Sequence, residues 1–295
     1  MMFFGRKLKV KGIWIMNRLL VVDGSNLLFQ MFFGMPSRII NKQGKAIQGT
    51  LGFVGALLKI IRMTELTHVT VLFDGEHENV RADLDENYKA NRVDYSAVPE
   101  EDNPFSQLPD IYRALDFLGI RHAETVDCET DDWIAGYAQT YGTAYEVIIS
   151  SFDSDFFQLI TENVSVLRYR GEKTVVCTPT YIKEKFSVSP QQYAEFKALT
   201  GDTADNIKGA DKVGPKTATA LLNEFGSLEE IIKRAEDIKK PSVRASVLEN
   251  SERLMRNYKL IKLDNCCELP FSADELAFCD TGKKTTEVLG AIGLR

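Results

Sequence analysis

Three runs rich in β-branched and aliphatic residues, RLLVVD (18–23), HVTVLFD (68–74) and YEVIISSFDSD (145–155), each end on aspartate. Short apolar runs closed by turn residues read as buried strands. Between them lie segments with helical spacing, Gly49–Met63, Ile111–Gly119 and Cys128–Gly142, two of which stop at glycine. Strands alternating with helices predict an α/β fold with a mainly parallel sheet flanked by helices. In such sheets the ligand crevice lies beyond the carboxyl ends of the strands. Asp23, Asp74, Asp153 and Asp155 fall there, and Glu129, Asp131 and Asp132, in the first turn of a helix, approach the same edge.

Any one of these acids has an ordinary explanation as a turn residue or helix cap, and Glu129, Asp131 and Asp132 suit a helix dipole. Together they do not. Seven carboxylates from separate segments at one edge repel and raise one another's pKa values, so the cluster implies neutralising cations. Magnesium fits, because it takes oxygen ligands and is commonly held by a few carboxylates plus a substrate phosphate. Two such ions about 4 Å apart can hold an attacking water and a leaving oxygen at phosphorus. The five cysteines form no CxxC pair and the three histidines are scattered, which excludes an ordinary zinc site. Calcium suits the same oxygens, but no D-x-D-x-D-G loop is present.

From about Thr180 onward the pattern is all helical, with helices predicted at Pro190–Thr200, Lys216–Phe225, Ser227–Glu236 and Val243–Lys262. Between the first two lies LTGDTADNIKGADKVGPKT (199–217). Asp202 and Asp205, three apart, would share a face on a helix end. Gly209 and Gly214 free the backbone ahead of Lys216 and Thr217 at a helix start, a natural phosphate cradle. A solvated connection between helices explains the same residues, and the segment alone leaves both readings open. Residues 76–107 are charged, poor in aliphatics and carry prolines, which predicts an exposed excursion that orders on a ligand. Residues 1–15 (MMFFGRKLKVKGIWI) are expected to be a disordered or upstream extension, since Lys9 and Lys11 break any signal-peptide core. No apolar run is long enough for a bilayer, and reduced thiols suit the cytoplasm.

The pieces VVDGSN, FDG, YKANR, ETDD, SFDSDFFQLI and ALTGDTADNIKGADKVGPKTA occur in the order found in the 5′-to-3′ exonuclease and flap endonuclease family. From Arg18 to about Asp264 the chain resembles that family, in particular the nuclease domain of bacterial DNA polymerase I and its free-standing homologues. The resemblance implies a PIN-like nuclease core (16–186) with a helical arch (76–107), and a helix–three-turn–helix DNA clamp (187–270) followed by a C-terminal tail (271–295). It assigns a first metal position to Asp23, Asp74, Glu129 and Asp131. A second falls to Asp153, Asp155, Asp202 and Asp205, with Asp132 nearby or reaching metal through water. Lys89 and Arg92 would contact the scissile phosphate, Tyr88 would stack on a base, and Gly209, Lys212, Gly214, Lys216 and Thr217 would hold the duplex. Two hairpin positions depart from the family pattern: Lys212 replaces a glycine and Lys208 a proline. Both bear on the hairpin's conformation and on any K⁺ bound there.

The implied activity is Mg²⁺-dependent 5′-to-3′ exonuclease and 5′-flap endonuclease cleavage in DNA replication and repair, with Mn²⁺ able to substitute. The expected partner is DNA with 5′ flaps, nicks or 5′ ends, or RNA primer hybrids, met by a cytoplasmic monomer of the free-standing kind. A net charge of −6 does not exclude DNA, because setting aside nine cluster acids turns −6 into +3 for the remainder. The competing readings are a non-catalytic structure-specific DNA-binding protein, a PIN-type ribonuclease, and a phosphotransferase with Asp23 as nucleophile. The last usually has a second Asp two residues on, where this chain has Ser25.

Overall fold

The computed structural model describes residues 8–10, 13–15, 17–75, 81, 84–85, 87–91, 93–264 and 267–295. Within the extension expected to be disordered, β1 (Leu8–Val10) and β2 (Ile13–Ile15) pair antiparallel.

The central sheet holds β3 (Arg18–Asp23), β4 (His68–Phe73), β5 (Arg121–Glu124), β6 (Glu146–Ser150), β7 (Val164–Arg168) and β8 (Val175–Cys177). Their spatial order is β5-β4-β3-β6-β7-β8, parallel except for β8. Successive side chains point to opposite faces, and both faces are covered. Leu20, Val22, Val71 and Phe73 pack beneath α1 (Gly24–Gly34), α2 (Gln48–Thr64) and α3 (Leu108–Leu118). Leu19, Val21, Val147 and Ile149 pack on the other side with α4 (Thr130–Tyr141). Burial on both faces explains why these strands read as continuous apolar runs. The strand order reverses between β3 and β6, so the crevice of this doubly wound sheet opens beyond Asp23 and Ser150.

Beyond α5 (Pro179–Phe186) come α6 (Tyr193–Thr200), β9 (Gly201–Asp202), β10 (Ile207–Lys208), α7 (Pro215–Phe225), α8 (Leu228–Lys233), α9 (Pro241–Glu249) and α10 (Ser251–Ile261). The core behind α4 continues without a break into this region through Leu199, Leu222, Ile231 and Leu254. The single helix expected over Val243–Lys262 is broken at Asn250, whose side chain turns back to the Ser246 carbonyl. The C-terminal residues return to the sheet: Phe278 N–H donates to the Thr67 carbonyl (2.9 Å). There α11 (Thr285–Ala291) buries Val288 and Leu289 against Val54, Leu58 and Ala114.

Candidate metal centre and nucleic-acid interface

The DGSN turn after β3 ties three strand ends together. Asp23 caps α1 by accepting from Asn26 N–H (2.9 Å), and its other oxygen accepts from Ser151 Oγ (2.8 Å). Ser25 Oγ accepts from Asp74 N–H (2.9 Å), and Asn26 Oδ1 accepts from Phe152 N–H (3.0 Å). A side chain at Gly24 would strike the Phe73 ring and the Leu72 carbonyl, so the turn sits directly on β4. Asp74 also accepts from Thr130 N–H at the start of α4 (3.4 Å). One short motif thereby fixes the relative positions of acids from four segments.

The acids sort into three groups. Asp23, Asp74, Asp131 and Asp153 line a cleft of about 810 Å³ at the reversal of strand order. Burial at 6% exposure, then the neighbouring charge of Asp74, pushes the Asp23 carboxyl up to about 7, although hydrogen bonds from Asn26 and Ser151 oppose the rise. Burial likewise raises Asp131 well above the usual carboxylate range. A site that penalises its own negative charge in this way favours a bound cation.

The second group is Asp155, Asp202 and Asp205, whose ligand atoms all lie within 4.8 Å of one another. The expectation that Asp202 and Asp205 share a helix face is corrected here. The helix α6 ends at Thr200 because Gly201 adopts φ +84°, and Asp202 pairs in β9 with Ile207 of β10. The tight turn between these strands delivers Asp205. Lys197 reaches into this group from α6 and forms ion pairs with both Asp155 and Asp202. Burial, opposed by Lys197, lifts Asp155 to about 7.

The third group, Glu129 and Asp132, is turned toward cations of the excursion after β4. Arg81 pairs with both, and Lys89 Nζ lies 2.6 Å from Glu129. Burial raises the Glu129 pKa, but Lys89 and Arg81 outweigh it and hold the carboxyl below its ordinary value. Glu129, grouped by resemblance with Asp23, Asp74 and Asp131, is thus ion-paired with Arg81 and with Lys89 of the cleft lining, and is not itself among the lining residues. Asp153, grouped by resemblance with the triad, lines the cleft instead. Tyr88 is buried, 7% exposed, with its hydroxyl 3.4 Å from Glu129, so its ring is closed to a base in this conformation. Arg92 lies outside the described residues.

The same cleft is also lined by aromatic residues. Phe29, Tyr95 and Phe105 meet edge to face with ring centroids 5.3–5.6 Å apart. Nothing in their sequence spacing brings them together. Lys197 and Arg81 were equally hidden; the only local hint is a lysine amid the apolar residues of α6.

Below the triad the turn becomes basic. Lys208, Lys212, Gly214 and Lys216 are exposed and Thr217 half-buried, at the N-terminus of α7. Lys212 adopts φ +64°, a left-handed conformation that suits glycine, at the position where the family pattern has one. Gly209 differs from its neighbours: it is buried, and its carbonyl accepts from Arg253 (2.8 Å).

The triad offers only carboxylate oxygens, Asp23, Asp74, Asp131 and Asp153 of the cleft stand beside hydroxyl and amide oxygens, and the triad already accommodates an ammonium group. These features fit hard divalent cations.

Residues 18–187 match the family model for the 5′-3′ exonuclease N-terminal resolvase-like domain, and residues 188–284 that for the 5′-3′ exonuclease C-terminal SAM fold. The chain is 34% identical over 259 residues to thermostable DNA polymerase I of Thermus thermophilus, covering 88% of this chain but only 30% of that protein. It is 32% identical over 263 residues to the 5′-3′ exonuclease of Aquifex aeolicus, covering 88% and 86% of the two chains. Among solved structures, a bacteriophage T5 flap endonuclease in a pseudo-enzyme-product complex with DNA and metal ions superposes with TM-score 0.70 at 25% identity, over 83% of this chain and 89% of that one. The T5 5′-exonuclease with bound zinc gives TM-score 0.71 at 23% identity, over 94% of this chain and 100% of that one. From its ordered motifs, its sheet-edge acids and these matches, the chain belongs to the 5′-3′ exonuclease family and is a nuclease.

Proposed function

We propose that the chain is a Mg²⁺-dependent 5′-to-3′ exonuclease and structure-specific 5′-flap endonuclease of DNA replication and repair, working as a cytoplasmic monomer. The observation that carries this reading is the acid-lined cleft at the reversal of strand order, beside an acidic triad and an exposed basic turn. Residues 16–186 supply the nuclease core and residues 187–270 the duplex clamp. Asp23, Asp74, Asp131 and Asp153 would hold one cation, and Asp155, Asp202 and Asp205 another. When bound, the divalent ions supply positive charge at the scissile phosphodiester and lower the pKa of an attacking water. K⁺ at the Gly209–Gly214 turn belongs to the same reading.

The chain's own groups do the positioning. Lys212, Lys216 and the first-turn amides of α7 hold the duplex backbone without reading bases. Phe29, Tyr95 and Phe105 offer a stacking wall for an unpaired base at the 5′ end. Lys89, which lines the cleft, stabilises charge on the phosphoryl group. Water attacks phosphorus in line, the 3′ oxygen leaves as a hydroxyl, and the other fragment keeps a 5′-phosphate.

The test uses end-labelled 5′-flap, nicked and single-stranded substrates with and without Mg²⁺, for the wild type and Asp74→Asn. Cutting of flap and nicked DNA should need Mg²⁺ and be nearly abolished in the variant, with the fold retained. Full activity in chelator would sink the proposal.

A further inference from the structure

We propose that Lys197 is a resident counter-cation of the Asp155–Asp202–Asp205 triad, which shares the triad's charge and thereby weakens its hold on a divalent ion in the DNA-free enzyme. The inference rests on the metal-binding reading above and asks how one of its two positions is tuned.

Lys197 is 7% exposed and lies on a helix whose other buried residues, including Tyr193, Phe196 and Leu199, are apolar. Burying an ammonium there is costly unless it is fully paired. Its partners are two of the three triad acids and come from different parts of the chain: Asp155 follows β6, and Asp202 lies in β9. The amine therefore stands among the oxygens that a metal would use. When all three carboxylates are ionised, as metal ligands must be, they carry three negative charges, and one ammonium leaves two, which is the charge a single divalent ion can balance. Without Lys197 the same oxygens would face the ion with three.

A lysine kept only to cement two segments would behave differently. Its removal would loosen the triad, and metal affinity would fall or stay the same. A counter-cation, once removed, leaves stronger repulsion that a metal relieves, so affinity must rise. At the separations of paired groups near a protein surface, one unit charge is worth well over a tenfold change in binding. We take about tenfold as the least effect after relaxation.

The experiment titrates Ca²⁺ alone, without DNA, into the whole chain by calorimetry, and follows Ca²⁺-dependent melting in parallel. Wild type, Lys197→Met, Lys197→Arg and Asp205→Asn are compared. Lys197→Met should bind its weaker Ca²⁺ at least about tenfold more tightly than wild type. Lys197→Arg should match wild type, and Asp205→Asn should weaken that step. If Lys197→Met is unfolded in chelator, Ca²⁺ should restore its cooperative melting; failure to do so at any concentration overturns the proposal. Unchanged or weaker Ca²⁺ binding by Lys197→Met, with wild type binding normally, overturns this inference alone. Wild type that binds no Ca²⁺ overturns the metal reading beneath it as well.

Discussion

The substitution Gly209→Ala would place a methyl carbon 2.4 Å from the Gly201 nitrogen, the Leu199 oxygen and the Thr200 carbon. All three are main-chain atoms, so no side-chain rotation can relieve the overlap. Gly209 is not among the residues with positive φ, and the cost is steric rather than conformational. The strand β10 must therefore move away from β9. That strains the bonds of Arg253 to the Gly209 carbonyl (2.8 Å) and of Asn257 to the Lys208 carbonyl (2.9 Å). Asn257 is 2% exposed, so water cannot replace it. Overpacking costs about 1–3 kcal/mol, and each weakened bond costs about 1 more. A total of about 3–5 kcal/mol lowers Tm by roughly 5–8 °C in a chain of this size. The same displacement carries Asp202 and Asp205 away from Asp155 and should weaken Ca²⁺ binding too. Gly214→Ala is the control. No atom lies within 4 Å of its added carbon, and it should cost under about 1 kcal/mol. Thermal unfolding of both variants, with Ca²⁺ titration, measures this. A Gly209→Ala protein melting within about 2 °C of wild type, or a Gly214→Ala protein equally damaged, would refute the reasoning.

Two further outcomes follow from neighbouring features. Lys212→Gly removes a left-handed backbone cost of about 1–2 kcal/mol and returns about 0.5–1 through greater unfolded freedom, so it should stabilise the chain by about 0.5–1 kcal/mol in urea unfolding. It should also flatten the salt dependence of duplex binding by about one unit, and a less stable variant or an unchanged slope would count against it. His68 is buried, its Nδ1 2.8 Å from Thr67 Oγ1 and its ring edge-on to Tyr145, and burial lowers its pKa below 6.5. As pH falls, the unfolded chain takes up the proton first, so the contribution of His68 to stability is complete above about 6.5 and is lost on acidification below it. Denaturant unfolding between about pH 7.5 and 5.5 should show that loss in wild type and less of it in His68→Gln; identical profiles would exclude the effect.

What could be read from sequence was what is decided locally. The strands β3, β4 and β6 were visible because each is buried on both faces, and the acids at their ends needed only a count along the strand. The edge strand β5 (RHAE) is partly exposed and has no apolar run, so it left no signal. The spacing of Asp202 and Asp205 misleads, because a helical period says nothing about a helix that stops before Gly201. The neutralising cations were hidden for a different reason. Lys197 meets Asp155 across 42 residues and Arg81 meets Glu129 across 48, and only the folded chain brings them together. Acids at strand ends thus announce a demand for positive charge, while the fold decides who meets it. In this chain lysine and arginine already supply part of it at Asp155, Asp202, Glu129 and Asp132, whereas the cleft carboxylates of Asp23, Asp74 and Asp153 accept hydroxyl and amide hydrogen bonds, with Lys89 as the lysine of the lining. Metal affinity should therefore differ between cleft and triad even though both are built from the same carboxylates.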